Sequence, residues 1–199
     1  MTGLALFDFD GTLTDTESFG PFLRQLVPTE RMRTGRWRVA PWILGYRLGF
    51  ISGVSVRARV VDIGARGLSV ADYRAAGERF ARDWIPAHLR RDAMARLQWH
   101  RDRGDTVVVV SGAFDAYLAP WCEAEGIAVL CSTLAVADGE LTGRYAGAQC
   151  VGDEKPRRVR QRFDLASFAR VHAYGDTRED RALLEIADER WYRGVRVDQ

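Results

Sequence analysis

The sequence predicts an α/β protein: a doubly wound parallel sheet with a small helical unit inserted after its first strand. Three observations point there. Residues 3–10 form a short apolar run that ends in two acids and opens into Gly11-Thr12. Residues 105–112 hold four consecutive valines before Ser111-Gly112, the texture of a central parallel strand covered on both faces. Between and after these runs the apolar residues recur at helical spacing, and strands alternating with helices specify parallel pairing.

In chain order, residues 3–10 read as a buried strand whose carboxyl end becomes a loop. From Ser18 to about Arg103 the spacing of Phe19, Phe22, Leu23 and Leu26, then Tyr73, Phe80 and Trp84, then Ala93 and Leu97 predicts four or five helices. Breakers are expected at Pro28, Gly35, Pro41, Gly53, Gly67 and Pro86. Residues 115–126 read as a helix and 127–131 as a strand. Residues 134–145 alternate about Asp138-Gly139, a hairpin signal. Residues 154–163 form a basic helix, 171–174 a strand ending in Gly175-Asp176, 179–187 a helix, and 191–197 a last strand. The expected organisation is a core of residues 1–16 and 93–199, with residues 17–92 as a helical cap over the carboxyl edge of the sheet, where open α/β sheets bind ligands.

Composition excludes several classes. The 199 residues are 47% hydrophobic and 28% charged, ordinary globular values. A net charge of +2 gives no electrostatic case for a nucleic-acid partner. Cys122, Cys131 and Cys150 are odd in number and lack metal-ligand spacing, so a reducing compartment, the cytoplasm, is expected. No leader segment is expected at the N-terminus. His88, His100 and His172 also lack ligand spacing and read as structural, as does Cys150. Of 29 basic residues only Lys155 is lysine.

Three strand ends carry polar groups: Asp8 with Asp10, Ser111, and Asp176 with Asp180 nearby, while Lys155 heads a helix between them. In a parallel sheet these ends converge on one edge. Clustered carboxylates raise one another's pKa unless a cation joins them. Mg2+ suits the set, because it takes one or two carboxylates and completes its shell with water and phosphate oxygens. Asp8 and Asp10, two residues apart on one strand face, can divide the labour of nucleophile and proton carrier. The exceptional lysine marks a place that needs a compact ammonium rather than a planar fork.

Asp8-Phe-Asp10-Gly-Thr-Leu-Thr, Val107-Val-Val-Val-Ser111-Gly, Lys155 and Gly175-Asp176-Thr-Arg-Glu-Asp180 resemble, in order, the four motifs of the haloacid-dehalogenase-like (HAD) phosphohydrolases. The resemblance implies a Rossmann-like core with Asp8 as nucleophile and metal ligand. Asp10 would be general acid/base, with its backbone carbonyl on Mg2+. Ser111 and Lys155 would hold the phosphoryl group, and Thr12 and Gly112 would line the substrate loop. Asp176 would ligate the metal, and Asp180 would ligate or orient through water. The insertion occupies the C1 cap position and is similar to that of phosphoserine phosphatase-like enzymes (subfamily IB). In them Glu17 would contact a substrate amine and Arg59, or alternatively Arg57, a substrate carboxylate.

Ser18-Phe-Gly-Pro-Phe-Leu-Arg24, the apolar stretch from Trp42 to Ile51, and Cys150-Val-Gly-Asp-Glu-Lys155 look closer to a phosphatidylglycerophosphatase-like branch. Asp176-Thr177 also lacks the glycine that phosphoserine phosphatases carry there. A small phosphorylated metabolite is therefore the first expectation and a lipid phosphate the alternative. A phosphotransferase, or a non-catalytic phosphate-binding protein of the same fold, would keep these residues too. Arg157, Arg158, Arg160 and Arg162 read as a solvated helix face. The segment from Trp37 to Ile51 reads as cap core, with membrane contact as the less favoured reading.

Overall fold

A computed structural model describes residues 2–197. A six-stranded sheet runs in the order β3-β2-β1-β6-β7-β8. Its strands are β1 (Leu4–Phe7), β2 (Thr106–Phe114), β3 (Ala128–Ser132), β6 (Val171–Gly175), β7 (Glu189–Tyr192) and β8 (Val195–Val197). The first five in that spatial order pair parallel. β8 pairs antiparallel with β7, so the single last strand expected from 191 to 197 is a hairpin. Its two-residue turn, Arg193-Gly194, has φ of 53° and 76°, the left-handed pair such a turn needs. The chain adds β2 and β3 on one side of β1, then returns to place β6 on the other. The order therefore reverses between β1 and β6, where a crevice opens at the strand ends.

The two faces of the sheet are covered separately. Leu4, Leu6, Val108, Val110, Val171 and Ala173 bury against Val159, Leu183 and Leu184, the last three from α8 (Glu154–Arg162) and α9 (Arg181–Glu185). Ala5, Phe7, Val107 and Val109 point the other way and share one core with Phe22, Val61, Tyr73, Phe80, Tyr117 and Leu118. This alternation is the pleat acting on strands buried on both faces.

The insertion folds into α1 (Phe19–Leu26), α2 (Thr29–Arg47), α3 (Gly53–Ala65), α4 (Val70–Asp83) and the short α5 (Ile85–His88); α6 (Arg91–Asp102) leads back to β2. Gly35 and Pro41 do not break the chain: both lie inside α2. Gly35 is where α2 meets α3, since a Cβ there would lie 2.9 Å from Ile63 Cγ2. α4 packs on α7 (Asp115–Ala124), so the insertion and the sheet share a core. A second sheet, β4 (Leu134–Ala137) with β5 (Glu140–Tyr145), is stitched to the α3–α4 loop. Gly67 N–H donates to Leu141 O at 2.8 Å and Val70 N–H to Gly139 O at 2.9 Å.

Behind β6, burial lowers the pKa of His172 to about 4, with neighbouring His100 adding to the effect. Its Nδ1 is buried without a hydrogen-bond partner among the described residues. The unfolded chain, with histidine near 6.5, binds more protons than the folded one between these values. Stability contributed here is present above pH 6.5 and is lost as the pH falls toward about 4. His172→Phe is expected to shrink the difference in urea midpoint between pH 7 and pH 5. An undiminished difference would place the acid sensitivity elsewhere.

Candidate active site

The reversal point between β1 and β6 holds a cavity of about 320 Å³ lined by Asp8, Asp10, Glu17, Arg57, Ser111, Gly112, Lys155 and Asp180 among others. Asp8 follows β1 directly, and its N–H donates to Tyr174 O at 3.0 Å, which aligns it with the end of β6. Gly11 then turns the chain with φ of 79°. A Cβ there would fall 2.3 Å from Asp176 Oδ2, so glycine lets the two acidic loops approach. Ser111 and Gly112 sit where the β2–β3 register breaks between Val110 and Phe114, an irregularity that lifts this peptide out of the ladder. Lys155 lies in the first turn of α8.

Lys155 is the hub. Its Nζ donates to Asp8 Oδ1 at 2.5 Å and to Asp180 Oδ1 at 2.6 Å, and all three side chains are buried. Asp180 Oδ2 accepts from Thr177 N–H and Thr177 Oγ1, both at 2.9 Å, and from Asp176 N–H at 3.2 Å. Asp180 thus helps to hold both Lys155 and the loop, and Oδ1 keeps a lone pair beyond the Lys155 bond. Carboxylate oxygens of Asp8, Asp176 and Asp180 lie within 4.8 Å of one another. Asp10 Oδ1 accepts from Ser18 N–H at 2.9 Å, and Oδ2 accepts from Ser18 Oγ at 2.9 Å. Ser18 Oγ meets Tyr117 Oη at 2.6 Å.

The electrostatics follow from burial. It pushes Asp8 up to about 8, against the pull of Lys155 and with Asp180 and Asp10 adding to the rise. It pushes Asp10 up to about 7, against the Ser18 bonds. Asp176 is raised by burial and by Asp180. Burial also works on Asp180, but Lys155 and Thr177 outweigh it and hold that carboxyl low. Lys155 is raised above its ordinary range, because Asp8 and Asp180 overcome its burial. The cluster carries more carboxylates than cations, and its free oxygens suit a hard divalent ion.

The remaining expected residues divide. Glu17 stands at the exposed mouth of the cavity. Partial burial and the charges of Asp176, Glu179 and Asp180 raise its carboxyl, with Arg57 opposing. Arg59 is a correction. It is absent from the cavity lining; its Nη1 donates to Asp62 at 2.8 Å and its guanidinium lies 5.8 Å from the Trp42 ring. Two residues apart on a helix means roughly opposite faces, and it is Arg57 that lines the cavity. Arg57 Nε donates to Gln149 Oε1 at 3.0 Å, and Nη2 donates to Glu179 at 2.8 Å. Thr12 is also displaced. It lines the far side of the Asp176 loop, and its hydroxyl donates to Asp176 Oδ1 at 3.3 Å.

Ser18, Tyr117, Thr177, Gln149 and Glu179 are site residues that sequence reasoning misses. A serine just before a helix and a threonine before Asp180 carry a signal as caps; Tyr117 and Gln149 carry none. Among the described residues no helix is long and apolar enough to cross a membrane.

Residues 5–185 match the family model described as haloacid dehalogenase-like hydrolase. The chain is 34% identical over 194 residues to Protein CicA of Caulobacter vibrioides, covering 96% of this chain and 85% of that protein. It is 31% identical over 198 residues to a phosphoserine phosphatase of Halobacterium salinarum, covering 92% and 82%. A solved structure of a protein of unknown function from Bordetella pertussis Tohama I superposes with a TM-score of 0.79 at 26% identity, covering 96% of this chain and 89% of that one. The chain belongs to the haloacid dehalogenase-like hydrolase family.

Proposed function

We propose that this protein is a Mg2+-dependent phosphomonoester hydrolase that carries the phosphoryl group on Asp8 and acts on a small phosphorylated, phosphoserine-like metabolite. The observation that carries the reading is the meeting of Asp8, Asp10, Ser111, Lys155 and Asp180 around one cavity, with Asp176 at its edge. Lys155 holds Asp8 Oδ1, which leaves Oδ2 to attack phosphorus. Asp10, aligned by Ser18 and raised to about 7, can give a proton to the departing alkoxide and then take one from the attacking water near neutral pH. That water releases inorganic phosphate and restores Asp8. Ser111 and the peptide at Gly112, which line the cavity, would hold phosphoryl oxygens. Mg2+, held by Asp8, Asp176, the Asp10 backbone carbonyl and Asp180 directly or through water, would balance charge on the transferring group; Asp180 also fixes Lys155 and the Asp176 loop.

Glu17 and Arg57, both lining this cavity, support a substrate with both an amine and a carboxylate. A screen of phosphorylated metabolites with Mg2+, including phosphoserine, tests this. Arg57→Ala is expected to raise KM about tenfold or more, with Arg59→Ala within about twofold of the parent. Equal effects at both positions would remove Arg57 from the substrate site.

A second reading, a lipid phosphate, is favoured by one observation. Tyr46 of the cavity wall lies in a segment where Trp37 is 71%, Leu48 61% and Phe50 85% exposed. The sequence leads one to expect cap core here; Trp42 is half-buried under Arg59, but its neighbours face solvent. Arginines interspersed among such residues suit an anionic interface. Co-sedimentation with phosphatidylglycerol vesicles, lost in a Leu48→Ser/Phe50→Ser variant, would favour this reading; no co-sedimentation would leave the soluble substrate.

A further inference from the structure

The catalytic cavity opens on one side of the Asp176 loop. A second cavity, of about 240 Å³, opens on the other. Its floor is set by sheet register. Phe7 pairs with Tyr174 across β1 and β6, and Tyr174 with Trp191 across β6 and β7. Their rings stack as a row, with centroids 4.2 Å apart at 5° and 4.7 Å apart at 18°.

The walls carry Arg90, Arg96 and Arg193 against Asp92 and Asp176. Arg90 is paired with Asp92. Arg96 is pinned but not neutralised. Its guanidinium lies 4.2 Å from the Trp99 ring and 4.6 Å from that of Trp191. Its Nε donates to Tyr174 Oη at 2.8 Å. That hydroxyl is held by His100 Nε2 at 2.8 Å, and His100 Nδ1 is 2.8 Å from Asp105. Arg96 has no carboxylate partner among the described residues, and its terminal nitrogens make no hydrogen bond there. Arg193 likewise has no carboxylate partner among them; its Nε donates to Asp176 O at 3.0 Å. It occupies a left-handed turn position (φ 53°) more usual for glycine or asparagine.

Stacked on one another, the three rings turn their edges to the cavity; guanidinium groups with donors left over beside such an apolar wall make an anion receptor. We propose that this cavity binds a small organic anion, its apolar body against the ring edges of the Phe7–Tyr174–Trp191 row and its acidic group on Arg96 and Arg193. The volume suits one or two fused rings, not a dinucleotide. Arg193 also holds the carbonyl of Asp176, so ligand and catalytic loop share one side chain.

The test is calorimetry on the full chain with 2-naphthoate as probe and 2-naphthalenemethanol as its neutral analogue. Saturable binding is expected, about tenfold weaker for the alcohol and about tenfold weaker in Arg96→Gln and Arg193→Gln. Arg57→Gln, which alters the catalytic cavity, is expected to leave it within about twofold. Arg193 is exposed in a turn, so its variant retains the fold even if Arg96→Gln does not. The proposal is overturned by absence of saturable binding up to about 10 mM. Equal affinity for the alcohol, or loss in Arg57→Gln with Arg193→Gln unaffected, overturns it as well.

Discussion

Asp8→Asn is expected to abolish turnover of a generic aryl phosphate, lowering kcat by a factor of about 10⁴ or more, while the protein stays folded. The amide nearly matches the carboxylate in shape but cannot attack phosphorus. Folding survives for a local reason. Lys155 keeps Asp180 at 2.6 Å, so its ammonium retains a buried counter-charge. The substitution also removes one of the carboxylates that burial makes costly. Steady-state rates beside a thermal melt read both quantities. A folded Asp8→Asn variant within about tenfold of the parent would eliminate covalent catalysis at this position.

Lys155→Met and Lys155→Arg should be nearly as damaging, and by separable routes. Methionine fills the volume and leaves Asp8 and Asp180 buried without their shared cation. Removing one partner of a buried ion pair costs about 3–5 kcal/mol, so the urea midpoint should fall along with activity. Arginine restores the charge but presents a planar fork where two oxygens, 2.5 and 2.6 Å from one nitrogen, need a point donor. The fork has to displace Asp8 from the aligned end of β1. A drop in kcat of about 10²–10³ is expected for Lys155→Arg, with a smaller stability loss than for methionine. Near-parental rates for Lys155→Arg would return this residue to an ordinary helix position.

The polar strand ends were legible because each terminates an apolar run that a buried parallel strand requires. The order of those ends in the chain then settled which would meet. Rotation about a helix axis was not legible. Arg57 and Arg59 both sit on α3, and only the packing of that helix on α2 and β5 turns Arg57 inward. Gly35 and Pro41 read as breaks, yet α2 passes through both, because tertiary packing of α2 on α3 outweighs local propensity. Arg193-Gly194 gives a weak turn signal because arginine is a poor left-handed residue. The Ser18–Tyr117 support under Asp10 joins residues 99 positions apart, which no local pattern reports.

Transfer of phosphorus to the Asp8 carboxylate is the step on which the proposed chemistry depends. The direct measurement is an acid-quenched single turnover with radiolabelled aryl phosphate and Mg2+, followed by borohydride reduction and peptide mapping. The expected result is acid-stable label in the first milliseconds and homoserine at position 8 after reduction. Full turnover with no modification at that position, or with the label on another side chain, would contradict it.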